Sequence, residues 1–139
     1  MTPKKVTAAQ LRRIERAIDS VPFARLLGIE LDAIEPGTAT LGLTIRHELT
    51  QNHGVVHGGA IASLIDTATA FAILSLLPPA ERVTTVDLTI SYLRPLITGR
   101  VTAIATVKRA GRRLLVVSAD VHDATGKLAA TALSTYIKL

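Results

Sequence analysis

The sequence predicts an α+β domain in which one long apolar helix packs against a curved, mainly antiparallel β-sheet. Residues 57–77 form an apolar run of helical length. Residues 85–137 contain four segments with strand character, separated by short turns. Short connections make neighbouring strands antiparallel. Because the helix is apolar nearly all round, the sheet must curl about it, or a second subunit must cover what remains.

Length and composition predict a single domain over residues 1–139. A chain of 139 residues has the size of one domain, and 48% of its residues are apolar, which is enough for a core. Cysteine is absent, which excludes thiol catalysis, disulfides and cysteine-ligated metals. No set of His and carboxylate residues has metal-ligand spacing, so we predict neither a metal nor another cofactor. Residues 1–5 have no apolar run behind them that resembles a secretory signal.

The N-terminal half predicts helix followed by two strands. A capping box at residues 7–10, with apolar residues at helical spacing behind it, predicts a helix at about residues 7–20. A short turn at 23–27 is stopped by Gly28. Residues 29–35 and 38–45 then read as two strands around a Pro-Gly turn.

The C-terminal half predicts the long helix and four strands. The apolar run ends before Pro78, and its membrane alternative is disfavoured because Asp66 interrupts a segment rich in Ala, Ser and Thr. Strands are expected at residues 85–92, 101–108, 114–122 and 128–137. In the first of them the apolar residues Val86, Leu88, Ile90 and Tyr92 alternate with polar ones, which is typical of a half-buried strand.

The start of the long helix, His57-Gly58-Gly59, has the features of a binding site for negative charge. Two glycines let another group approach the backbone closely. The N–H groups of a helix's first turn are free and favour an oxygen that becomes more negative during a reaction. A plain tight turn is the alternative explanation of the same residues.

Asp66 is the only charged residue between His57 and Leu77. A carboxylate in apolar surroundings is costly unless it is paired, protonated or open to a cleft. Such a group suits a general base or a nucleophile, and the alternative is an Asp that faces water or a subunit contact. Gly58 and Asp66 are eight residues apart, so on a regular helix they lie about 12 Å apart. They cannot easily serve one carbonyl from the same chain, and a catalytic interpretation therefore predicts an oligomer.

Positive charge is clustered in the last third of a chain whose net charge is +5. Four basic residues fall within six positions, and two more flank the neighbouring segment: Lys108, Arg109, Arg112, Arg113, Arg94 and Arg100. A cluster of this kind suits phosphate groups of a nucleic acid or of a small nucleotide-bearing molecule. A solvated loop is the alternative.

Three segments together resemble a known family. They are residues 51–66 with the carboxylate nine residues after the His, the strand 86–95 that follows the helix, and the hairpin 123–127. This pattern is similar to the hotdog-fold acyl-CoA thioesterases of the phenylacetate-degradation (PaaI-like) group, over about residues 22–138. The resemblance implies a hotdog fold and a cytoplasmic hydrolase that releases CoA and a carboxylic acid from aromatic or medium-chain acyl-CoA.

The resemblance also implies roles for individual residues. Asp66 matches the general base or nucleophile, and Gly58 matches the amide that polarises the thioester carbonyl. Gln51 matches a polar residue near the thioester and water, with Asn52 as the alternative, and Thr85 matches a hydroxyl that holds the water or the carboxylate. In the family, Gln51 and Gly58 come from one subunit and Asp66 and Thr85 from its partner, which implies a homodimer or a dimer of dimers.

Other residues are expected to contact substrate. These are Asn52, His57, Gly59, Arg94, Arg109, Gly111, Arg112 and Arg113, of which the last four match residues that contact the CoA nucleotide. For His57 we favour a structural role, in which it bonds the preceding loop and fixes the Gly58 amide. The remaining histidines are expected in loops or exposed strands.

Three other functions compete with hydrolysis. A non-hydrolytic acyl-thioester binder on the same fold would have no need for Asp66. A hotdog dehydratase would carry its catalytic His on the helix, which this chain lacks. A nucleic-acid binder is disfavoured because four aromatic residues leave little for base stacking. We therefore expect neither nucleic acid nor membrane as a partner.

Overall fold

The computed structural model describes residues 5–139. The first four residues lie outside this range, and they belong to the N-terminal segment in which no secretory signal is expected. The elements are α1 (Ala8–Ser20), α2 (Pro22–Leu27), β1 (Glu30–Glu35), β2 (Thr38–Thr44), a 3₁₀ turn (His47–Leu49), α3 (Gly58–Leu74), β3 (Val83–Tyr92), β4 (Arg100–Ala110), β5 (Leu114–His122) and β6 (Leu128–Lys138). The strands form one antiparallel sheet in the order β1-β2-β4-β5-β6-β3. The predicted α+β architecture, a central helix wrapped by a curved antiparallel sheet, is confirmed.

Helix α3 forms the centre of the core. It packs against β2, β4 and β5, and nine of its 17 residues are buried. Many of the buried strand residues are alanines, which let the sheet approach the helix closely: Ala103, Ala105, Ala119, Ala129, Ala130 and Ala132. Dispersion and apolar burial over this contact hold the helix in place.

The ends of the helices follow local hydrogen bonds. Thr7 and Gln10 form the predicted capping box of α1. Gly28, with φ of 78°, ends α2 in the left-handed conformation. Helix α3 ends at Leu74, three residues before the predicted Leu77. The buried Ser75 hydroxyl donates to the Ala72 carbonyl at 2.6 Å and accepts the Gly37 N–H at 2.8 Å, so it terminates the helix and ties it to the β1–β2 turn.

Strand β3 contains a bulge that changes which residues face the helix. The register with β6 shifts between Thr85 and Asp87, so that Val86 is the extra residue. Val83 and Thr85 point inward before the bulge, and Leu88 and Ile90 do so after it. The alternating pattern placed Val86 and Leu88 on one face, but Val86 is 55% exposed. The bulge is the physical reason for the difference.

The two edge strands of the sheet differ. Strand β1 is six residues long and carries Glu30 and Asp32, which bind Arg100 of β4 at 2.9 and 2.6 Å. Strand β3 is ten residues long, and within residues 5–139 its only neighbour is β6. Short edges with several charged side chains resist further strand pairing, whereas a long edge that carries a single charged residue, here Asp87, favours it. The β3 edge is therefore the one suited to pair with another strand.

In the part of the chain described by the structure, no helix combines the length and the apolar character needed to cross a membrane.

Candidate active site

Asp66 lies in the middle of α3 with its carboxylate half-buried against β3 and β6. Its Oδ1 accepts a hydrogen bond from the Thr85 hydroxyl at 2.9 Å. The Tyr136 hydroxyl lies 2.8 Å from the Asp66 backbone carbonyl and 3.2 Å from Oδ1. Within residues 5–139, Oδ2 makes no hydrogen bond to protein, so it is the oxygen that can act on a bound substrate or water.

The bulge in β3 delivers Thr85 to this carboxylate. An extra residue at Val86 rotates the strand so that Thr85 faces α3 together with Leu88 and Ile90. The Asp87 carbonyl, beside the bulge, accepts a 2.8 Å hydrogen bond from the buried Ser134 hydroxyl. This bond links β6 to β3 next to the bulge and gives the buried Ser134 hydroxyl a partner.

Two residues in this cluster were not predicted from the sequence. Tyr136 on β6 is 2% exposed, and its hydroxyl lies 2.8 Å from Thr69 Oγ1. Thr69 follows Asp66 by three positions, and its hydroxyl also lies 3.0 Å from the carbonyl oxygens of Ile65 and Asp66. Burial raises the pKa of Tyr136 to about 12. The only available signal was a tyrosine in a strand where the other inward residues are small.

The start of α3 presents an unoccupied backbone donor. His57 is the N-cap residue, and its Nδ1 accepts the Gly59 N–H at 2.8 Å. The Gly59 amide, predicted to contact substrate, is thus already bonded. Among residues 5–139 nothing accepts a hydrogen bond from the Gly58 N–H. Gly58 therefore supplies a free donor at the positive end of a 17-residue helix.

Tyr92 covers the same glycine. Its hydroxyl donates to the Gly58 carbonyl at 2.9 Å. A Cβ placed on Gly58 would lie 3.4 Å from the Tyr92 ring, so the aromatic ring sits directly over the helix start. A cleft of about 310 Å³ opens here, lined by both residues together with Val56, Ile61 and Arg94. Arg94 is exposed at this cleft, as its predicted contact with substrate requires.

The loop that carries Gln51 and Asn52 folds back toward the helix start. The Gln51 N–H donates to the Val55 carbonyl at 2.8 Å, and the His57 N–H donates to the Leu49 carbonyl at 2.8 Å. Both predicted polar side chains are exposed, and neither makes a hydrogen bond within the described chain. The side chains of Gln51 and Asn52 are therefore both available to a ligand.

The two halves of the candidate site lie far apart in one chain. Thr85 pairs with Tyr136, whereas Tyr92 pairs with Ala130 near the other end of the same strands. Seven residues of strand separate Thr85 from Tyr92, which corresponds to about 20 Å. Along the regular helix α3, Gly58 and Asp66 are separated by about 12 Å. The free amide and the carboxylate therefore cannot meet on one carbonyl within a single subunit.

The predicted basic residues lie at the β4–β5 hairpin. Lys108, Arg109, Arg112 and Arg113 are exposed, and none forms an ion pair with another described residue. Gly111 shapes the turn, because a Cβ at this position would lie 2.8 Å from the Leu114 carbonyl oxygen.

The hairpin lies at the same end of the sheet as Asp66. Thr85, Tyr136, Leu115 and Ala110 form one row across β3, β6, β5 and β4. Three strand spacings separate Thr85 from Ala110, which is roughly 14 Å. A phosphate-bearing ligand of that reach can therefore touch the hairpin while its other end lies near the carboxylate.

An apolar cleft lies beside the C-terminal half of α3. It has a volume of about 250 Å³ and begins one helical turn after the carboxylate. Its walls are formed by Ala70, Phe71, Leu74, Leu77 and Val83, with Glu81 and Arg82 at the rim. Such a lining accommodates a hydrocarbon group.

Among residues 5–139, no three His, Asp or Glu side chains lie close enough together to hold a metal ion.

Known proteins share this architecture. The family described as the thioesterase superfamily matches residues 53–130. The medium/long-chain acyl-CoA thioesterase YigI of Salmonella typhimurium is 30% identical, and the match spans 95% of this chain and 96% of that protein. The crystal structure of a thioesterase from Haemophilus influenzae superposes with a TM-score of 0.88 at 28% identity, covering 100% of this chain and 95% of that one. The PaaI protein of Escherichia coli, from the phenylacetic acid degradation operon, matches with a TM-score of 0.88 at 24% identity over 96% of both chains, and this likeness shows the fold alone.

The chain belongs to the thioesterase superfamily and has the hotdog fold. It is a thioester hydrolase, as the predicted resemblance implied.

Proposed function

We propose that this enzyme hydrolyses acyl-CoA thioesters in a site shared by two subunits, with Asp66 as the general base. Two features of the fold support the proposal. The Gly58 N–H has no acceptor among residues 5–139, and the Asp66 carboxylate is held by a hydrogen bond from Thr85 at a different place in the fold. Within one chain the Gly58 N–H and the Asp66 carboxylate are too far apart to act on the same thioester carbonyl. Both are brought together if two subunits pair through β3.

The free edge of β3 supports this dimer. Antiparallel pairing of two β3 strands about a twofold axis near Leu88 places the Tyr92 end of one strand beside Thr85 of the other. Tyr92 covers Gly58, and Thr85 binds Asp66, so this register joins the two half-sites. Val86 and Tyr92, which are 55% and 54% exposed, become buried at the interface.

The chemistry follows from the two half-sites. The Gly58 N–H donates to the thioester carbonyl and stabilises the oxyanion that forms when water attacks. Asp66 Oδ2 removes a proton from that water, and Gln51 or Asn52 of the subunit that supplies Gly58 orients it. The C–S bond then breaks, and the proton passes from Asp66 to the departing CoA thiolate. The products are a carboxylic acid and free CoA.

Substrate recognition is assigned to the two ends of the site. The exposed cations Arg109, Arg112 and Arg113 bind the phosphates of CoA, and Gly111 permits close approach of the nucleotide. The apolar cleft beside Ala70 and Phe71 receives the acyl group. Its size favours aromatic or medium-chain acyl groups, and the name of the YigI relative is consistent with the latter. We propose a homodimer, or a dimer of dimers, acting in the cytoplasm as one domain over residues 1–139.

The test is thiol release from a panel of acyl-CoAs, including phenylacetyl-CoA and octanoyl-CoA. Asp66→Asn should reduce turnover at least about 10²-fold, the usual scale for general base catalysis. Asp19→Asn, which neutralises an exposed carboxylate on α1, is the matched control and should leave turnover unchanged. Thiol release by Asp66→Asn at the wild-type rate would contradict the assignment of Asp66 as the base.

A further inference from the structure

The buried phenol of Tyr136 contacts the carboxylate of Asp66. Tyr136 comes from β6, is 2% exposed, and points its hydroxyl at two acceptors that both belong to Asp66. Thr85, from the neighbouring strand β3, reaches the same carboxylate oxygen. Thr85 and Tyr136 are also direct partners in the sheet register, so the two hydroxyls arrive side by side.

The hydroxyl protons can be assigned by counting donors and acceptors. Thr69 can donate to the carbonyl of Ile65 or Asp66, or to the Tyr136 oxygen. In each of these arrangements the single Tyr136 proton remains available for Asp66. A hydrogen bond to an ionised carboxylate is stronger than one to a neutral carbonyl. The Tyr136 proton is therefore shared with Oδ1 when Asp66 is charged.

We propose that Tyr136 is a positioning residue for the thioesterase reaction: with Thr85 it fixes Oδ1 of Asp66, so that Oδ2 is the oxygen presented to substrate. This inference rests on the proposed role of Asp66 as base. Two donors on one oxygen remove the freedom of the carboxylate to rotate, which is the geometric requirement for an effective base.

The protonation of Tyr136 is consistent with this role. Because burial raises its pKa to about 12, the phenol stays a donor at every pH at which the enzyme can be assayed. Among residues 5–139, the Asp66 carboxylate also hydrogen-bonds the Thr85 hydroxyl on β3, and the Thr69 hydroxyl on its own helix contacts the Asp66 carbonyl. The nearest ionisable residues of these strands are turned elsewhere: Asp87 is exposed, and Lys138 pairs with Glu81 at 3.4 Å.

The kinetic test uses Tyr136→Phe, which keeps the buried ring and removes only the hydroxyl. We expect kcat to fall about tenfold, the effect of losing one hydrogen bond to a charged group, while KM for acyl-CoA changes less. The acid limb of the pH–rate profile should move to higher pH, since loss of a donor disfavours the carboxylate. Ser75→Ala removes another buried hydroxyl, at the far end of α3, and should leave the acid limb in place.

A double-mutant cycle with Asp66→Asn separates this proposal from the proposed function. If Tyr136 acts through Asp66, the double variant should be no slower than Asp66→Asn alone. Additive losses, or a wild-type profile for Tyr136→Phe in an Asp66-dependent enzyme, would overturn the positioning role alone. Full activity of Asp66→Asn would overturn the proposed function itself.

A spectroscopic test on the wild-type protein does not depend on how the Tyr136 variant folds. The chain has two tyrosines, so labelling them with ¹³C at Cζ gives two resonances, which Tyr92→Phe assigns. The Tyr136 resonance should shift as Asp66 ionises, and that shift should disappear in Asp66→Asn. A Tyr136 resonance that is unchanged across the acid limb of the wild-type enzyme would contradict the proposed hydrogen bond.

Discussion

The Thr85 hydroxyl donates a 2.9 Å hydrogen bond to Oδ1 of Asp66 and thereby links the edge strand β3 to the middle of the core helix. Both residues are half-buried, so the bond is partly shielded from water. The bulge at Val86 sets its geometry by turning Thr85 inward. The Thr85 hydroxyl therefore couples the position of β3 to that of the Asp66 carboxylate.

Thr85→Val tests the contribution of this bond, since valine matches threonine in shape but cannot donate. We expect kcat to fall about tenfold, because hydrogen bonds to charged groups are worth roughly 1.5–3 kcal/mol. Steady-state thiol release measures the effect. Thr106→Val makes the same change on β4, where no side chain of residues 5–139 hydrogen-bonds the hydroxyl, and should leave kcat as in wild type. Equal rates for the two variants would show that the Thr85 hydroxyl does not assist Asp66.

Much of the fold could be predicted from the sequence because its signals are local. The capping residues Thr7 and Gln10, the left-handed Gly28 and the apolar run of α3 each depend on neighbouring residues alone. The bulge could not be predicted, since it depends on the pairing of β3 with β6. Alternation in the sequence placed Val86 with Leu88, whereas the register shift separates them.

The residues of the candidate site likewise fall into those with a local sequence signal and those that depend on tertiary packing. Asp66 and Gly58 could be proposed as site residues because an isolated charge and a glycine-rich helix start are visible in the linear sequence. Tyr136 and Thr69 could not be proposed, because a tyrosine in a strand and a threonine in a helix come into contact only when β6 packs against α3. The engagement of the Gly59 amide by His57 is likewise a matter of side-chain geometry.

Gly58→Pro should remove the proposed oxyanion donor while preserving the helix. Gly58 is the first residue of α3, where proline is tolerated, and the preceding His57 has φ of −64° and ψ of 135°, which suit a residue before proline. We expect kcat to fall about 10²-fold, as for other lost oxyanion donors. Gly58→Ala also adds a Cβ beside Tyr92 but keeps the N–H, and it should be clearly faster than the proline variant. If the two variants are equally slow, steric blockage rather than the amide controls the rate.

The proposal that two subunits share the site predicts recovery of activity in mixed dimers. A dimer that combines an Asp66→Asn subunit with a Gly58→Pro subunit has one site in which both Gly58 and Asp66 are intact. Each mixed dimer keeps one of its two sites, so purified mixed dimers should recover about half of the wild-type activity. Co-expression, purification by two different tags and thiol-release assays measure it. No recovery in purified mixed dimers would mean that both residues act within one subunit.

The basic hairpin should contribute to binding through the nucleotide end of CoA. Replacing Arg112 and Arg113 by serine removes two exposed charges, each worth up to about 1 kcal/mol, and should raise KM for acyl-CoA several-fold, up to about 30-fold. The rise of KM with salt should be weaker in the variant than in wild type, because fewer screened contacts remain. An acyl thioester of N-acetylcysteamine, which has no phosphates, should be hydrolysed equally well by the wild-type enzyme and the hairpin variant.

Replacing Arg12 and Arg16 of α1 by serine is the control, because it lowers the net charge as much as the hairpin variant does, and it should not change KM. If it raises KM as much as the hairpin variant does, then total charge rather than this hairpin attracts the substrate.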